Sequence, residues 1–115
     1  MDKEIEIANK IKNKYNIDVI IDENRPPHTL YCASKLGKIL KIKNIRMATQ
    51  TLSETEKHKI ITADIMGRKQ YSTFITYDGL VKIITKSRNT NTVEFAKEIG
   101  IDTITKYYVS IETDL

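Results

Sequence analysis

The side chains with the clearest chemistry in this sequence are cationic, and they stand in two stretches that contain no acid. Residues 31–50 carry five basic and no acidic side chains, and residues 79–93 carry Lys82, Lys86 and Arg88. Ammonium and guanidinium groups neutralise phosphates, and a guanidinium or a side-chain amide also makes paired hydrogen bonds to a base edge. Two such segments on a small domain can build one electropositive face that meets phosphates.

The distribution of this charge is more informative than its total. The 115 residues carry 19 basic and 15 acidic side chains, a formal net charge of +4, in a composition rich in isoleucine and lysine that A/T-rich codons would also produce. Residues 31–50 alone carry +5, whereas residues 1–30 and 101–115 carry −1 and −2. Codon bias does not explain the missing acids, so the charge pattern leaves both nucleic-acid binding and ordinary solvated helix faces open.

The elements that must hold these side chains begin with a helix and a strand. In residues 2–15 apolar side chains recur at helical spacing, which predicts an amphipathic helix. Residues 17–21 are β-branched and precede a loop with two prolines, which indicates a strand. Residues 31–42 predict a helix that begins at Ala33 or Ser34, with the Ser34 hydroxyl available as a cap.

A second short helix, over residues 44–52, follows almost directly. Asn44 is its predicted N-cap, and Arg46, Thr49 and Gln50 lie on its outer side. Two short helices with a tight connection are typical of a helix-turn-helix, although helical hairpins also occur in proteins that never touch DNA.

A β-hairpin is predicted next, from residues 59–65 and 70–76, with a basic, glycine-bearing tip at residues 66–69. A hairpin after a helix-turn-helix has the arrangement of a wing, whose tip can reach a phosphate backbone or a minor groove. The interpretation is therefore a small α+β, winged-helix-like domain.

Two further helices and a strand complete the predicted domain. Residues 79–86 form a helix capped by Asp78, and residues 92–99 form a helix that ends at Gly100. Residues 101–111 are rich in β-branched and aromatic side chains and include a strand.

The sequence offers little for catalysis or for a cofactor. It has no glycine-rich phosphate loop, no nucleophile elbow and no histidine pair at helical spacing. Cys32, His28 and His58 are too few soft ligands for a structural zinc site, and Asp64 has no carboxylate neighbour at a spacing that suggests two-metal chemistry. We predict a protein without enzymatic activity, cofactor or metal, in which Cys32 is a core residue and both histidines are solvated.

The compartment follows from the cysteine count and the N-terminus. A single cysteine excludes an internal disulfide framework and indicates a reducing environment. The first residues are too acidic for a signal peptide, and no apolar run approaches the ~20 residues of a membrane span. We expect an intracellular protein that does not contact membranes.

Two blocks of the sequence follow a known family pattern. Residues 31–48 have an aromatic residue, a small helix start and an Asn-x-Arg-x-Ala pattern at Asn44, Arg46 and Ala48, and residues 74–88 have a strand followed by Gly-Leu and Ser-Arg. These blocks resemble the N-terminal domain of the baculovirus repeated-ORF (BRO) family and its relatives in phage antirepressors and large DNA viruses. The resemblance implies a DNA-binding module related to the KilA-N type, in the cytoplasm or nucleus of a host or in a virion.

The resemblance leaves out the first thirty residues and has two departures. We therefore treat residues 1–30 as a helix and strand outside the family match and residues 31–115 as the BRO-like part of one compact domain. Lys41 stands where the family usually has glycine, and the Phe-x-x-Trp pattern of the last helix is reduced to Phe95.

Together, charge and resemblance predict binding to double-stranded DNA, in a regulatory or DNA-targeting role. Arg46 and Gln50 are suited to read base edges, and Lys43, Asn44 and Thr49 to position the helix on the backbone. The side chains expected to neutralise phosphates are Lys35, Lys38, Lys41, Arg68, Lys69, Lys86 and Arg88.

Two alternatives stay open. In the first, the chain is a protein-interaction or assembly module that forms homo-oligomers through the apolar helix of residues 5–15 and the segment of residues 107–109. In the second, it is the DNA-targeting part of a nuclease whose catalytic residues lie beyond Leu115.

Overall fold

A computed structural model describes residues 2–87 and 89–101. In chain order, its elements are α1 (Asp2–Tyr15), β1 (Val19–Ile21), β2 (Thr29–Cys32), α2 (Ala33–Leu40), α3 (Ile45–Gln50), β3 (Lys57–Ala63), β4 (Lys69–Thr76), α4 (Tyr77–Ser87) and α5 (Thr90–Ile99). The predicted α+β class is confirmed. The strand expected within residues 101–111 lies outside the described residues apart from Ile101.

The four strands form one antiparallel sheet in the order β1-β2-β4-β3. β2 lies between β1 and β4 and pairs with both. Tyr31 in the middle of this pairing lies opposite Val19 on one side and Ile75 on the other. The sequence did not predict β2, because its four residues directly precede α2 and are too few to show a periodicity. All four are buried, as expected for an inner strand. The N-terminal strand therefore belongs to the same sheet as the predicted hairpin, and the N-terminal helix packs on the same core.

The predicted helix of residues 2–15 is confirmed as α1, and its apolar face is buried within the domain. Ile7, Ala8 and Ile11 have at most 2% of their surface exposed and join the main core. That core continues through α2, α4 and α5 with Leu40, Ile84 and other aliphatic side chains. The centre of this face is therefore covered by the chain's own core, which argues against it as the surface of the assembly alternative, whereas Ile5 and Tyr15 stay half-buried. The other segment of that alternative, residues 107–109, lies outside the described residues.

The β3–β4 hairpin is confirmed, although β3 begins and ends two residues earlier than predicted and β4 begins one residue earlier. Seven residue pairs join it, from Lys57↔Ile75 to Ala63↔Lys69. Lys69 is therefore the first residue of β4 and not part of the turn, which corrects the predicted tip. Lys69 pairs with Ala63, and this is the last pair of the ladder before the turn.

The helix ends follow local capping chemistry, in two places differently from the prediction. α2 begins after Cys32 without a side-chain cap, so Ser34 does not cap it. α4 begins at Tyr77, and its Gly79 N–H donates to Thr76 Oγ1 at 3.2 Å. Thr76 therefore provides the capping oxygen that the sequence assigned to Asp78, because the helix continues directly from the end of β4.

The last helix begins and ends at typical capping residues. Asn89 Oδ1 accepts the Thr92 N–H at 2.8 Å, which starts α5 two residues before the predicted position. Gly100 ends the helix with a φ of 90°, the left-handed conformation predicted for it. The Asn89 side chain also donates through Nδ2 to the Leu40 carbonyl at 3.2 Å. This residue therefore ties the start of α5 to the end of α2.

Cys32 is confirmed as a core residue, whereas the histidines are not simply solvated. Cys32 is 4% exposed and packs with Leu30 and Phe74 in a second, smaller cluster. His28 and His58 are half-buried, and Nδ1 of His28 lies 2.9 Å from the Asp22 carbonyl oxygen. His28 lies in the loop before β2 and His58 lies in β3, and neighbouring residues cover part of each ring. The sequence pattern did not indicate this burial.

Candidate nucleic-acid interface

α3 is a short helix that is fixed at its start by a side-chain cap. Asn44 Oδ1 accepts the Met47 N–H at 3.1 Å, as predicted. Ile45 and Ala48 pack against the main core, which leaves Arg46 and Gln50 exposed on the outer side. The two residues predicted to read bases are thus accessible on one helix.

Thr49 departs from its predicted role. It is only 8% exposed, and its hydroxyl donates to the Arg46 carbonyl at 2.8 Å. A hydroxyl that is satisfied inside its own helix is not available to a phosphate, because helical threonines commonly bond the carbonyl one turn back. The Thr49 hydroxyl therefore stabilises α3 itself, which argues against the backbone contact predicted for it.

A polar groove separates α3 from the β3–β4 hairpin. Two neighbouring hollows, of about 650 and 410 Å³, share Arg46, Thr49, Tyr71 and Thr73 in their walls. The larger is lined by Arg46, Thr49, Gln50, Glu54, Lys57, His58, Lys59, Tyr71 and Thr73. We call this space the α3–hairpin groove.

The charges that line the α3–hairpin groove are mainly positive. Arg46, Lys57 and Lys59 face a single acid, Glu54, which lies 3.9 Å from the Lys57 ammonium. Among the described residues, Arg46 and Lys59 have no ion-pair partner. Their full charge is therefore available to an anion that enters the groove.

Lys59 and Tyr71 line the groove, although neither was predicted from the sequence as a site residue. Lys59 lies opposite Thr73, and Tyr71 lies opposite Ile61, so all four side chains share one face of the hairpin. The two-residue alternation of a strand is the signal that groups them. Which hairpin face meets α3 depends on long-range packing, which a sequence pattern does not contain.

The last turn of α2 and its connection to α3 present three further lysines. Lys38, Lys41 and Lys43 are exposed, and none forms an ion pair with another described residue. Lys41 ends α2 in the left-handed conformation, with a φ of 53°. The Ile42 N–H donates to the Gly37 carbonyl at 2.9 Å and the Lys41 N–H to the Lys38 carbonyl at 3.4 Å, the two bonds of a Schellman motif.

Two of the predicted phosphate-binding lysines make contacts within the protein. Lys35 Nζ lies 2.8 Å from Asp18 Oδ2, and this hydrogen bond raises the pKa of Lys35. Lys86 Nζ donates to Thr51 Oγ1 at 3.4 Å, which brings the end of α4 beside the end of α3. Lys86 thus lies near α3, whereas the charge of Lys35 is partly neutralised by Asp18.

Arg68 and Lys69 lie at the far end of the hairpin. The Arg68 guanidinium donates through Nε to Asp64 Oδ2 at 2.9 Å while 77% of its side-chain surface stays exposed. Lys69 is exposed and has no ion-pair partner among the described residues. Arg88 is outside the described residues, so its predicted place on this face has no structural counterpart.

Within residues 2–87 and 89–101, no group of three or more His, Cys, Asp or Glu side chains is arranged to hold a metal ion. In the same ranges, no helix has the length and apolar character needed to span a membrane.

The comparison with protein families gives one match. The model of the BRO family N-terminal domain matches residues 6–100. This range begins within α1 and therefore includes most of the first thirty residues, which the resemblance left out. No curated protein and no solved structure matches the chain.

Proposed function

Because this chain belongs to the BRO family through its N-terminal domain, we propose that it is a binding module for double-stranded DNA in a large DNA virus or a related element. The BRO N-terminal domain is a DNA-binding domain family that is not known for catalysis. The proposed role is regulatory or DNA-targeting.

The observation that carries the proposal is the α3–hairpin groove with the lysines beside it. Arg46 and Lys59 line the groove without an acidic partner among the described residues, and Lys38, Lys41 and Lys43 extend the positive surface along the connection that leads into α3. A row of unpaired cations that ends in a helix with exposed Arg and Gln is suited to a duplex. Its cations would neutralise phosphates, while the helix would present a guanidinium and an amide that each make paired hydrogen bonds to a base edge.

In this proposal α2 and α3 act as a helix-turn-helix and the β3–β4 hairpin acts as a wing. Arg46 and Gln50 contact base edges, and Lys43 with the exposed Asn44 side chain positions α3 on the backbone. The proposed phosphate contacts are Lys38, Lys41, Lys59, Lys69 and Lys86, with weaker contributions from Lys35 and Arg68, which are already paired. Arg88 remains a proposed contact on its sequence position alone.

The test is duplex binding measured by fluorescence anisotropy across a salt series. We expect affinity to fall steeply with salt, with a log–log slope of about −0.9 for each phosphate neutralised. Arg46→Ala should weaken binding. Lys97→Ala, on the exposed side of α5, is the matched control that removes one positive charge away from the groove. A flat salt dependence, or Arg46→Ala binding as the wild type does, would overturn the proposed surface.

A further inference from the structure

The tip of the β3–β4 hairpin carries two large apolar side chains that contact little of the protein. Ile65 is fully exposed, at 102% of its reference surface, and Met66 is 77% exposed. Neither contributes to a core cluster. Adjacent exposed side chains of this size on a projecting turn are expected to bury apolar surface against a ligand.

Several hydrogen bonds to Asp64 hold the turn in a defined shape. Asp64 Oδ1 accepts the Met66 and Arg68 N–H groups at 2.9 and 2.8 Å, and Oδ2 accepts from Arg68 Nε. The Asp64 N–H donates to the Arg68 carbonyl at 2.9 Å, and Gly67 supplies the positive φ of 82° that closes the turn. The tip therefore presents Ile65 and Met66 on a fixed loop, which lowers the entropy lost on insertion.

The charges around the tip favour a polyanion as the ligand. Arg68 and Lys69 follow the apolar pair after Gly67; Asp64, the acid of this turn, pairs with Arg68, whose side chain is still 77% exposed. Farther along the same hairpin, Lys59 lines the α3–hairpin groove. An apolar tip with cations beside it complements the minor groove, where arginine is attracted by the negative potential and an apolar side chain can enter between base pairs.

We propose that the hairpin tip inserts Ile65 or Met66 between two base pairs from the minor groove and thereby bends the duplex. This inference rests on the proposed function and specifies how one part of that surface engages DNA. The phosphate contacts position the hairpin, and insertion unstacks one base step. Flexible pyrimidine–purine steps such as TA are the easiest to unstack. The tip would therefore select sites by how easily the DNA deforms, without contacting a base edge.

The experiment measures unstacking and bending separately from affinity. Duplexes of about 30 base pairs that contain TA steps carry 2-aminopurine at successive positions, and a second set carries donor and acceptor dyes at the two ends. With wild-type protein we expect increased 2-aminopurine fluorescence at one step and a shorter end-to-end distance, equivalent to a bend of about 20–90°.

The test variant is Ile65→Ser with Met66→Ser, and the matched control is Ile20→Ser. Ile20 is also an exposed apolar residue, 39% accessible, but it lies on β1 at the opposite edge of the sheet. The tip variant should lose both the fluorescence increase and the bend while its salt slope stays that of the wild type. The Ile20→Ser control should keep the fluorescence increase, the bend and the salt slope of the wild type. Thermal unfolding checks that both variants fold.

The outcomes distinguish this inference from the proposed function. Wild-type protein that binds duplex DNA without unstacking or bending it overturns the insertion and leaves the proposed function standing, as does a tip variant that bends DNA like the wild type. Wild-type protein that fails to bind any duplex overturns both. Binding to anionic vesicles that depends on Ile65 and Met66, with no unstacking of DNA, would assign the tip to a lipid surface and also overturn the inference.

Discussion

Gly37 of α2 and Ile45 of α3 are packed so closely that a Cβ atom on Gly37 would stand 2.8 Å from Cβ of Ile45. Real side chains essentially never approach to this distance, so only glycine allows the two helices to meet as they do. Ile45 directly precedes Arg46. The position of the proposed base-contacting side chain therefore depends on the absence of a methyl group on the neighbouring helix.

Gly37→Ala is expected to destabilise the protein despite the better helix propensity of alanine. Relief of the clash costs about 1–3 kcal/mol, and the propensity gain of about 1 kcal/mol offsets only part of it. Urea unfolding measures the net change. Ser34→Ala, at an exposed position of the same helix, is the control and should be nearly neutral. A Gly37→Ala protein as stable as this control would contradict the close packing.

Lys43→Ala is expected to lower the salt dependence of DNA binding. If the ammonium neutralises one phosphate, its loss makes the log–log slope less steep by about 0.9. Anisotropy titrations at four or more salt concentrations measure the slope, with Lys97→Ala as the charge-matched control. Equal slopes for Lys43→Ala and the wild type would remove Lys43 from the interface.

Glu56→Gln is expected to lower stability at neutral pH and to have little effect in acid. The Glu56 carboxylate lies 2.6 Å from Lys82 Nζ and also accepts the Ser53 N–H at 2.9 Å. The Lys82 hydrogen bond, followed by the Ser53 backbone bond, lowers the pKa of Glu56 below its ordinary 4.5. Its ionised form therefore stabilises the fold above that pH, and the stabilisation is lost as pH falls through the lowered pKa.

Thermal unfolding at pH 7 and near pH 2 checks this linkage. We expect Glu56→Gln to cost about 1.5–3 kcal/mol at pH 7, the range for a hydrogen bond to a charged group. The gap from wild type should close in acid. Glu54→Gln removes a carboxylate that is 95% exposed and should cost less than about 0.5 kcal/mol at either pH. A pH-independent gap for Glu56→Gln would contradict the ionic contribution.

Asn89→Ala is expected to destabilise the protein by about 1–2 kcal/mol. The substitution removes the cap of the Thr92 N–H and also leaves the Leu40 carbonyl without its 3.2 Å donor. Thr90→Ala, one residue along and exposed, is the control. Chemical denaturation compares the two, and equal stability would show that the cap contributes nothing measurable.

Elements with strong local signals could be predicted from the sequence. The helical spacing of Ile5, Ala8, Ile11 and Tyr15 predicted α1, and the capping chemistry of Asn44 and Gly100 predicted the start of α3 and the end of α5. These signals depend on residues within one or two turns of each other, which is the range that a pattern describes.

The features that depend on long-range packing could not be predicted. β2 is defined by its partners on both sides and not by its four residues. The groove required Lys59 and Tyr71, which reach α3 only after the hairpin folds back beside it. The low exposure of Thr49 and the bond of its hydroxyl to the Arg46 carbonyl could not be predicted, because a period of 3.6 residues shows only that it lies near Arg46 and Gln50.

Because Lys41 is in the left-handed conformation, protein stability and DNA binding favour different residues at this position. Glycine would adopt this backbone about 1 kcal/mol more favourably than a side chain can, whereas lysine places a positive charge in the connection that leads to α3. A library selected only for thermal tolerance should therefore enrich glycine at position 41, and one selected only for duplex capture should retain lysine. The residue at this position in a natural relative would then indicate whether selection for stability or selection for DNA binding has been stronger in that relative.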